Sequence, residues 1–263
     1  MEMRSLFLTL LLSLPGLVQA GTFDHSHAQW SALLAEHVAW VSQGVASEVD
    51  YQGFKQNEAP LDGYLASLSN VTRDQYDGWS RAQRLAFLIN SYNAFTVKLV
   101  VDHYPVGSIK DIGGLFSSPW KQAFIPLLGQ TLTLDLLEHS MIRAPGAFDE
   151  PRIHFAVNCA SLGCPALRPE AFVAERLDAQ LEDSQRRFLS DRRRNRFDAD
   201  RRTFQVSKIF DWYGEDFVRQ WGSLETYLDQ HSALLSGQQS HQQSARRSEI
   251  EFLDYDWSLN QAR

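Results

Sequence analysis

The sequence has 263 residues, a formal net charge of −7 at pH 7, 44% hydrophobic residues and seven tryptophans. A chain this rich in apolar and aromatic residues can bury a core, which argues against intrinsic disorder away from its ends. The acidic balance argues against general nucleic-acid binding, because that function needs a basic surface. The length fits one large domain or two small ones.

The first twenty residues are typical of an export signal. Arg4 provides a positive charge, residues 6–14 are apolar, Pro15 interrupts the apolar run, and Ala20 is a small residue at a cleavage position. The run is shorter than the ~20 residues that span a bilayer, although a retained anchor is the alternative interpretation. We expect cleavage near Ala20, a mature protein of residues 21–263 that is periplasmic or secreted, and no stable membrane insertion.

In the first half of the chain, the strongest predicted element is a helix that Ser80 caps and that ends before Pro105. Gly129 and Gln130 between two apolar runs are typical of a hairpin. In chain order, the predicted elements are a helix over residues 29–41, a turn or short extended segment over 50–54, a polar helix over 60–68, the long helix over 80–103, a loop over 108–119 and a hairpin of 124–128 with 131–134.

In the second half, Asp135 and Glu138 are spaced as a capping box for a helix that ends at Arg143. Residues 152–158 alternate apolar and polar side chains, which predicts a strand. The other predicted elements are a loop around Gly163 and Pro165, a long helix over 169–189, an arginine-rich loop and hairpin over 186–202, a strand over 203–206, helical turns to Phe217, a polar loop over 237–248 and an apolar segment over 250–259. Because helices outnumber scattered strands, the predicted class is α+β, a mostly helical single domain with a small antiparallel sheet.

Two amides share one face of the predicted helix 80–103. Asn90 and Asn93 lie three residues apart among apolar side chains on nearly every side, so the helix is expected to be buried. An unpaired buried amide costs about 1–3 kcal/mol, so both must form hydrogen bonds. Either they fix neighbouring loops, or they form a site wall that orients a catalytic group or stabilises an oxyanion.

Cys159 follows the predicted strand 152–158 and precedes a loop that contains Cys164. Reactive groups often lie where a rigid strand meets a loop, but a thiol becomes a nucleophile only when its surroundings lower its pKa. His154 is five residues back along an extended strand, too far to bond Cys159 directly, so His139 is the first candidate for a partner. The alternative is a Cys159–Cys164 disulfide or two inert thiols.

His139 lies four residues after Asp135 and four before Arg143, so the three roughly share a helix face. Asp135 is placed to orient the imidazole, although a helix cap and a surface ion pair explain the same residues. The histidines and Cys159 lack the spacing of a metal motif. The sequence therefore predicts neither a metal site nor a cofactor.

Five ordered motifs together resemble one family, the domain of unknown function 547. They are residues 87–96, 134–143, 152–165, 207–217 and 255–260. The resemblance covers about residues 51–260 and implies that these segments meet in space within one unit. Relatives are often exported bacterial proteins, and the resemblance implies no particular activity.

Two hypotheses of function follow. The first is a periplasmic thiol-dependent hydrolase or acyl transferase, with Cys159 as nucleophile and His139 or His154 as general base. The second is a non-catalytic envelope-binding domain with a Cys159–Cys164 disulfide. The partner is expected to be an unknown small molecule or an envelope peptide. Further candidates are Asn90, Asn93 and Glu138 for catalysis, and Asn158, Ser161, Arg143 and Tyr92 for binding.

Overall fold

The computed structural model describes residues 22–114, 117–237 and 248–262, so the predicted export signal and most of the predicted loop 237–248 lie outside the described residues. The fold is α+β and mostly helical, as predicted. Its helices are α1 (Ala28–His37), α2 (Tyr51–Gln56), α3 (Ala59–Ser69), α4 (Arg73–Asp77), α5 (Arg81–His103), α6 (Leu177–Ser190), α7 (Ile209–Trp212), α8 (Gly214–Trp221), α9 (Leu224–Gln230) and α10 (Ser232–Ser236). Its strands are β1 (Val38–Val41), β2 (Ala46–Val49), β3 (Ile125–Leu127), β4 (Gln130–Leu132), β5 (Arg196–Asp198), β6 (Thr203–Ser207) and β7 (Glu249–Leu253).

Helix α5 runs through the core and organises the packing around it. It begins as predicted, with a capping box formed by Ser80 and Gln83, and every residue from Leu85 to Val97 is buried. A helix that is apolar on all sides needs partners on all sides, and α2, α3 and a π-helix at Leu136–Ile142 pack against it. Neither α5 nor another helix in the described residues is long and apolar enough to cross a membrane.

The two amides of α5 hold two loops, which confirms that they are buried and hydrogen-bonded. Asn90 donates to the carbonyl of Phe172 at 2.7 Å and accepts from its N–H at 3.0 Å. Asn93 donates to the carbonyl of Ala156 at 2.9 Å and accepts from the N–H of Asn158 at 2.8 Å. Each amide therefore satisfies two backbone groups of a buried loop, which would otherwise lack partners.

Within the part of the chain that the structure describes, the strands form three small sheets. β1 pairs with β2, β3 with β4 around Gly129, and β5 with β6, all antiparallel, while β7 adds to β6 in parallel. The predicted hairpin around Gly129 and the predicted strand at 203–206 are confirmed. After β7, the N–H groups of Leu162 and Gly163 donate to the carbonyls of Ser258 and Asp256, both at 2.8 Å. These bonds place the C-terminal segment along the loop that contains Cys164.

Two predictions near the N-terminus are wrong. The helix predicted over residues 29–41 ends at His37, because Val38–Val41 forms β1 and pairs with β2. Valine and tryptophan favour such a strand once a partner is present. Residues 50–54 are not extended but begin α2, because the Asp50 carboxylate accepts a hydrogen bond from the N–H of Gly53 at 2.8 Å.

The strand predicted over residues 152–158 is also wrong: a 3-10 helix occupies Pro151–Phe155. Proline at the first helical position favours this turn, and the Glu150 side chain accepts from the N–H of Arg152 at 3.1 Å. Residues 153–158 are all buried, so the alternation does not mark one apolar face and one polar face. His154 consequently lies in the interior.

The two remaining corrections concern helix starts. Asp135 and Glu138 do not form a capping box, because Thr133 accepts from the N–H of Leu136 at 3.0 Å and takes the capping role. The helix predicted from residue 169 begins only at Leu177. The residues before it stay irregular because Gln180 bonds the backbone of Ala171 and Val173, at 2.8 and 2.9 Å.

Replacing either amide of α5 with leucine should destabilise the protein. Asn93→Leu and Asn90→Leu each keep a similar volume but leave a buried carbonyl and a buried N–H unpaired. We expect each to lower the free energy of unfolding by about 1–3 kcal/mol, measured by urea denaturation. Asn57→Leu is the control, because Asn57 is exposed at the end of α2. Equal stability of the three variants would contradict the role assigned to the amides.

Candidate functional site

A cavity of about 240 Å³ opens where α5, the π-helix, the loop around Cys159, α7 and the C-terminal segment meet. As predicted, His139, His154 and Cys159 line one concavity, although they are separate along the chain. Most of the remaining wall is aromatic. The rings that line it are those of Tyr92, Trp120, Trp212, Tyr213, Tyr255 and Trp257.

Cys159 and Cys164 are joined by a disulfide, one of the alternatives that the sequence leaves open. Cys159 is half-buried on the cavity wall, and Cys164 is buried behind it. The sulfur of Cys164 lies 3.0 Å from the N–H of Cys159, 3.1 Å from the Ser161 hydroxyl and 3.3 Å from the Tyr255 hydroxyl. The disulfide is thus surrounded by hydrogen-bond donors, and neither sulfur is a thiol.

His154 is oriented by a carboxylate. Its Nε2 lies 2.6 Å from Asp216 Oδ2, and its side chain is 1% exposed. Burial lowers the pKa of His154, although the hydrogen bond to Asp216 opposes that shift. A neutral ring that donates through Nε2 leaves Nδ1 as a bare acceptor, and this buried nitrogen has no hydrogen-bond partner.

Asp216 accepts hydrogen bonds from three donors. Besides His154, it accepts from Arg143 Nε at 2.8 Å and from Arg219. Burial alone would raise the pKa of Asp216, but the hydrogen bonds from His154 and Arg143 hold it well below its usual value. Asp216 is therefore ionised at neutral pH. Its charge fixes the tautomer and the orientation of the His154 ring.

His139 occupies the rim beside the same arginine. Its Nδ1 lies 2.6 Å from Arg143 Nη1, and its Nε2 lies 4.0 Å from Asp135. Because a guanidinium only donates, Nδ1 must be the acceptor and the proton of a neutral ring sits on Nε2. The guanidinium of Arg143 also stacks 4.4 Å from the centre of the Tyr213 ring, and His154 stacks against Tyr213 at 4.2 Å.

Glu138 is a buried carboxylate on the cavity wall. Glu138 interacts electrostatically with the hydroxyls of Tyr92 and Tyr213. Burial, and then the neighbouring charge of Glu138, raise the pKa of both tyrosines, so both hydroxyls keep their protons.

The residues predicted from the sequence divide into two groups. Those that line the cavity are Tyr92, Glu138, His139, His154 and Cys159. The others support its walls: Asn90 and Asn93 hold backbone, and Arg143 bridges His139 and Asp216. Asn158 donates to the carbonyl of Pro165 at 2.7 Å, and Ser161 contacts the disulfide. Their amide and hydroxyl groups are thus already used within the protein.

Several residues of the site were not identified as candidates from the sequence. Asp216, Trp212, Tyr213, Tyr255 and Trp257 all lie in the two C-terminal motifs that carry the family resemblance, which was the available signal. Trp120 had none beyond its position after a proline in a predicted loop. Within the described residues, no group of three or more histidine, cysteine, aspartate or glutamate side chains is arranged to hold a metal ion.

Removing the Asp216 carboxylate should destabilise the protein. Asp216→Asn leaves Arg143 and His154 without their shared anion, and we expect a loss of about 3 kcal/mol in the free energy of unfolding at pH 7. Because the pKa of Asp216 is lowered on folding, its contribution is present above the unfolded pKa near 4 and is lost as pH falls further. Asp211→Asn is the control, since Asp211 pairs with Lys208 at the surface. The measurement is urea denaturation at pH 7 and pH 3. If Asp216→Asn and Asp211→Asn changed the free energy of unfolding equally at both pH values, this assignment would be wrong.

Comparison with known proteins identifies a family and no activity. Residues 76–189 match the model of the family described as "Protein of unknown function, DUF547". The matched range contains α5, the π-helix and the disulfide loop, whereas the motifs at 207–217 and 255–260 lie beyond it. No curated protein and no solved structure gives a significant match. The resemblance seen in the sequence motifs is confirmed over residues 76–189, the part of the chain that matches the DUF547 family model.

Proposed function

We propose that this protein is an exported small-molecule-binding domain that works with its Cys159–Cys164 disulfide closed. The observation that carries the proposal is the disulfide, because it occupies the cysteine that faces the cavity. A disulfide sulfur is not the thiolate that attacks a substrate. In this state the cavity offers groups for binding without a thiol nucleophile.

The lining of the cavity supports a small ligand. Binding sites are concave and mostly apolar, with a few polar groups that fix orientation. Aromatic rings form most of this wall, and Glu138 and His154 supply buried polar atoms. The volume of about 240 Å³ is below the ~300–1,000 Å³ that is usual for drug-sized ligands, so a small molecule fits better than an envelope peptide.

The disulfide also supports the proposed location. Disulfides persist in oxidising compartments such as the periplasm and the extracellular space. This agrees with the export signal inferred for residues 1–20. The proposal treats residues 21–263 as one domain, because the cavity draws on segments from Tyr92 to Trp257.

A second candidate is the thiol-dependent hydrolase or acyl transferase. The observation that favours it is that Cys159 lines the same cavity as His139, His154 and Glu138. Cys159 would be the nucleophile after reduction, and the bare Nδ1 of His154 would be the base. This function requires that the disulfide open, which separates it from the first proposal.

A thiol count tests whether Cys159 and Cys164 form a disulfide in the native protein. Protein purified from the periplasm without reductant should give no reaction with Ellman's reagent in denaturant, and two thiols after reduction. Cys164→Ser should lower the free energy of unfolding by about 2 kcal/mol or less, because a short loop gains little from closure. Two free thiols in the native protein would favour the hydrolase instead. Rapid alkylation of Cys159 by iodoacetamide at pH 7 would strengthen that outcome.

A neutral probe tests whether the cavity binds small molecules. Benzyl alcohol should change the tryptophan fluorescence saturably, because three indoles line the wall. Val157→Phe places extra volume on that wall and should weaken binding by about tenfold or more, a loss of at least ~1.4 kcal/mol. Val218→Phe is the control, because Val218 is exposed on α8. An unsaturable response, equal in all three proteins, would overturn the proposal.

A further inference from the structure

The charges around the cavity favour one class of ligand. Two carboxylates, Asp135 and Glu138, line the cavity together with two histidines. Within the described residues, neither a lysine nor an arginine is part of this lining. The guanidinium of Arg143 hydrogen-bonds to Asp216 and His139. With neutral histidines, the lining has a formal charge of −2, which repels anions and attracts cations.

The buried polar atoms of the cavity accept hydrogen bonds rather than donate them. Glu138, which interacts with the protonated hydroxyls of Tyr92 and Tyr213, is the clearest of these acceptors. A carboxylate can accept about four hydrogen bonds, so Glu138 can also accept one from a ligand. A hydrogen bond between a charged donor and a carboxylate is stronger than one between neutral groups. The ligand is therefore expected to carry hydrogen-bond donors.

The aromatic rings provide a third, independent reason to expect a cationic ligand. Cations are attracted to the faces of tryptophan and tyrosine rings. Two rings of this wall already contact cations that do not line the cavity: Lys110 Nζ lies 3.8 Å from the centre of the Trp257 ring, and Arg143 stacks on Tyr213. The cluster of Trp120, Trp212, Tyr255 and Trp257 is continuous, with ring centres 4.6–5.7 Å apart. These rings can surround the apolar body of a bound cation.

We propose that the cavity binds a small protonated amine, with an N–H of the ammonium donated to Glu138, which also balances its charge, and its apolar body against the tryptophans. This inference rests on the proposed binding function and adds the chemical class of the ligand. A sugar would also stack on the rings. It carries no charge, however, so charge selectivity separates the two classes.

Three probes of one shape test the proposal: benzylamine, which is protonated at pH 7, neutral benzyl alcohol, and benzyltrimethylammonium, which is charged but has no N–H. Tryptophan fluorescence and calorimetry give their dissociation constants. Benzylamine should bind about tenfold more tightly than benzyl alcohol, and benzyltrimethylammonium should bind more weakly than benzylamine by a similar factor. If benzyl alcohol bound as tightly as benzylamine, the proposal that the ligand is a protonated amine would be wrong. Equal binding of the two cations would overturn the hydrogen bond to Glu138.

A variant that removes the charge of Glu138 tests whether the preference for benzylamine over benzyl alcohol arises in the cavity. Glu138→Gln should bring benzylamine to the affinity of benzyl alcohol, whose own affinity should change little. Glu36→Gln, which alters net charge equally at an exposed position on α1, should leave the preference intact. A preference that survives Glu138→Gln would overturn the role of Glu138. If Glu138→Gln fails to fold, the three probes on the unaltered protein still decide between amine and neutral ligand. If no probe binds the unaltered protein, the proposed function itself fails.

Discussion

The structure depends on one buried side chain, Asn93, and on the two backbone groups that it satisfies. Within the described residues, the loop around Cys159 belongs to no helix and no named strand, yet most of it is buried. Asn93 supplies what a neighbouring strand would: a donor for the carbonyl of Ala156 and an acceptor for the N–H of Asn158. Because α5 is packed on all sides, the amide has a fixed position, and the loop takes its position from it.

The cavity wall is held in a similar way by ionic groups that do not themselves line the cavity. Asp216 is a meeting point for His154, Arg143 and Arg219. Arg143 in turn contacts His139 and packs on Tyr213. A charge buried this deeply is stable only when donors surround it. The same network that keeps Asp216 ionised therefore fixes both histidines and one aromatic ring of the site.

What the sequence predicts well is what short-range periodicity encodes. The capping residues and apolar faces of α5 lie within one segment, so its limits and the burial of Asn90 and Asn93 followed directly. The strand predicted at 152–158 was wrong because alternation indicates a strand only when one face is exposed, and both are buried here. The partner of His154 is 62 residues away along the chain. Only the family motifs linked those two segments, and Trp120 belonged to none of them.

The C-terminal segment helps to form the cavity but lies outside the range that matches the family model. Tyr255 and Trp257 close the cavity, and their segment is tied to the disulfide loop by backbone hydrogen bonds. The range that matches the family model ends at Leu189, so it contains Cys159 and His154 but lacks Asp216, Tyr213 and the closing wall. A fragment cut to that range would keep the disulfide and lose the enclosure around it. The cavity of this protein therefore draws on more of the chain than the segment that matches the family model.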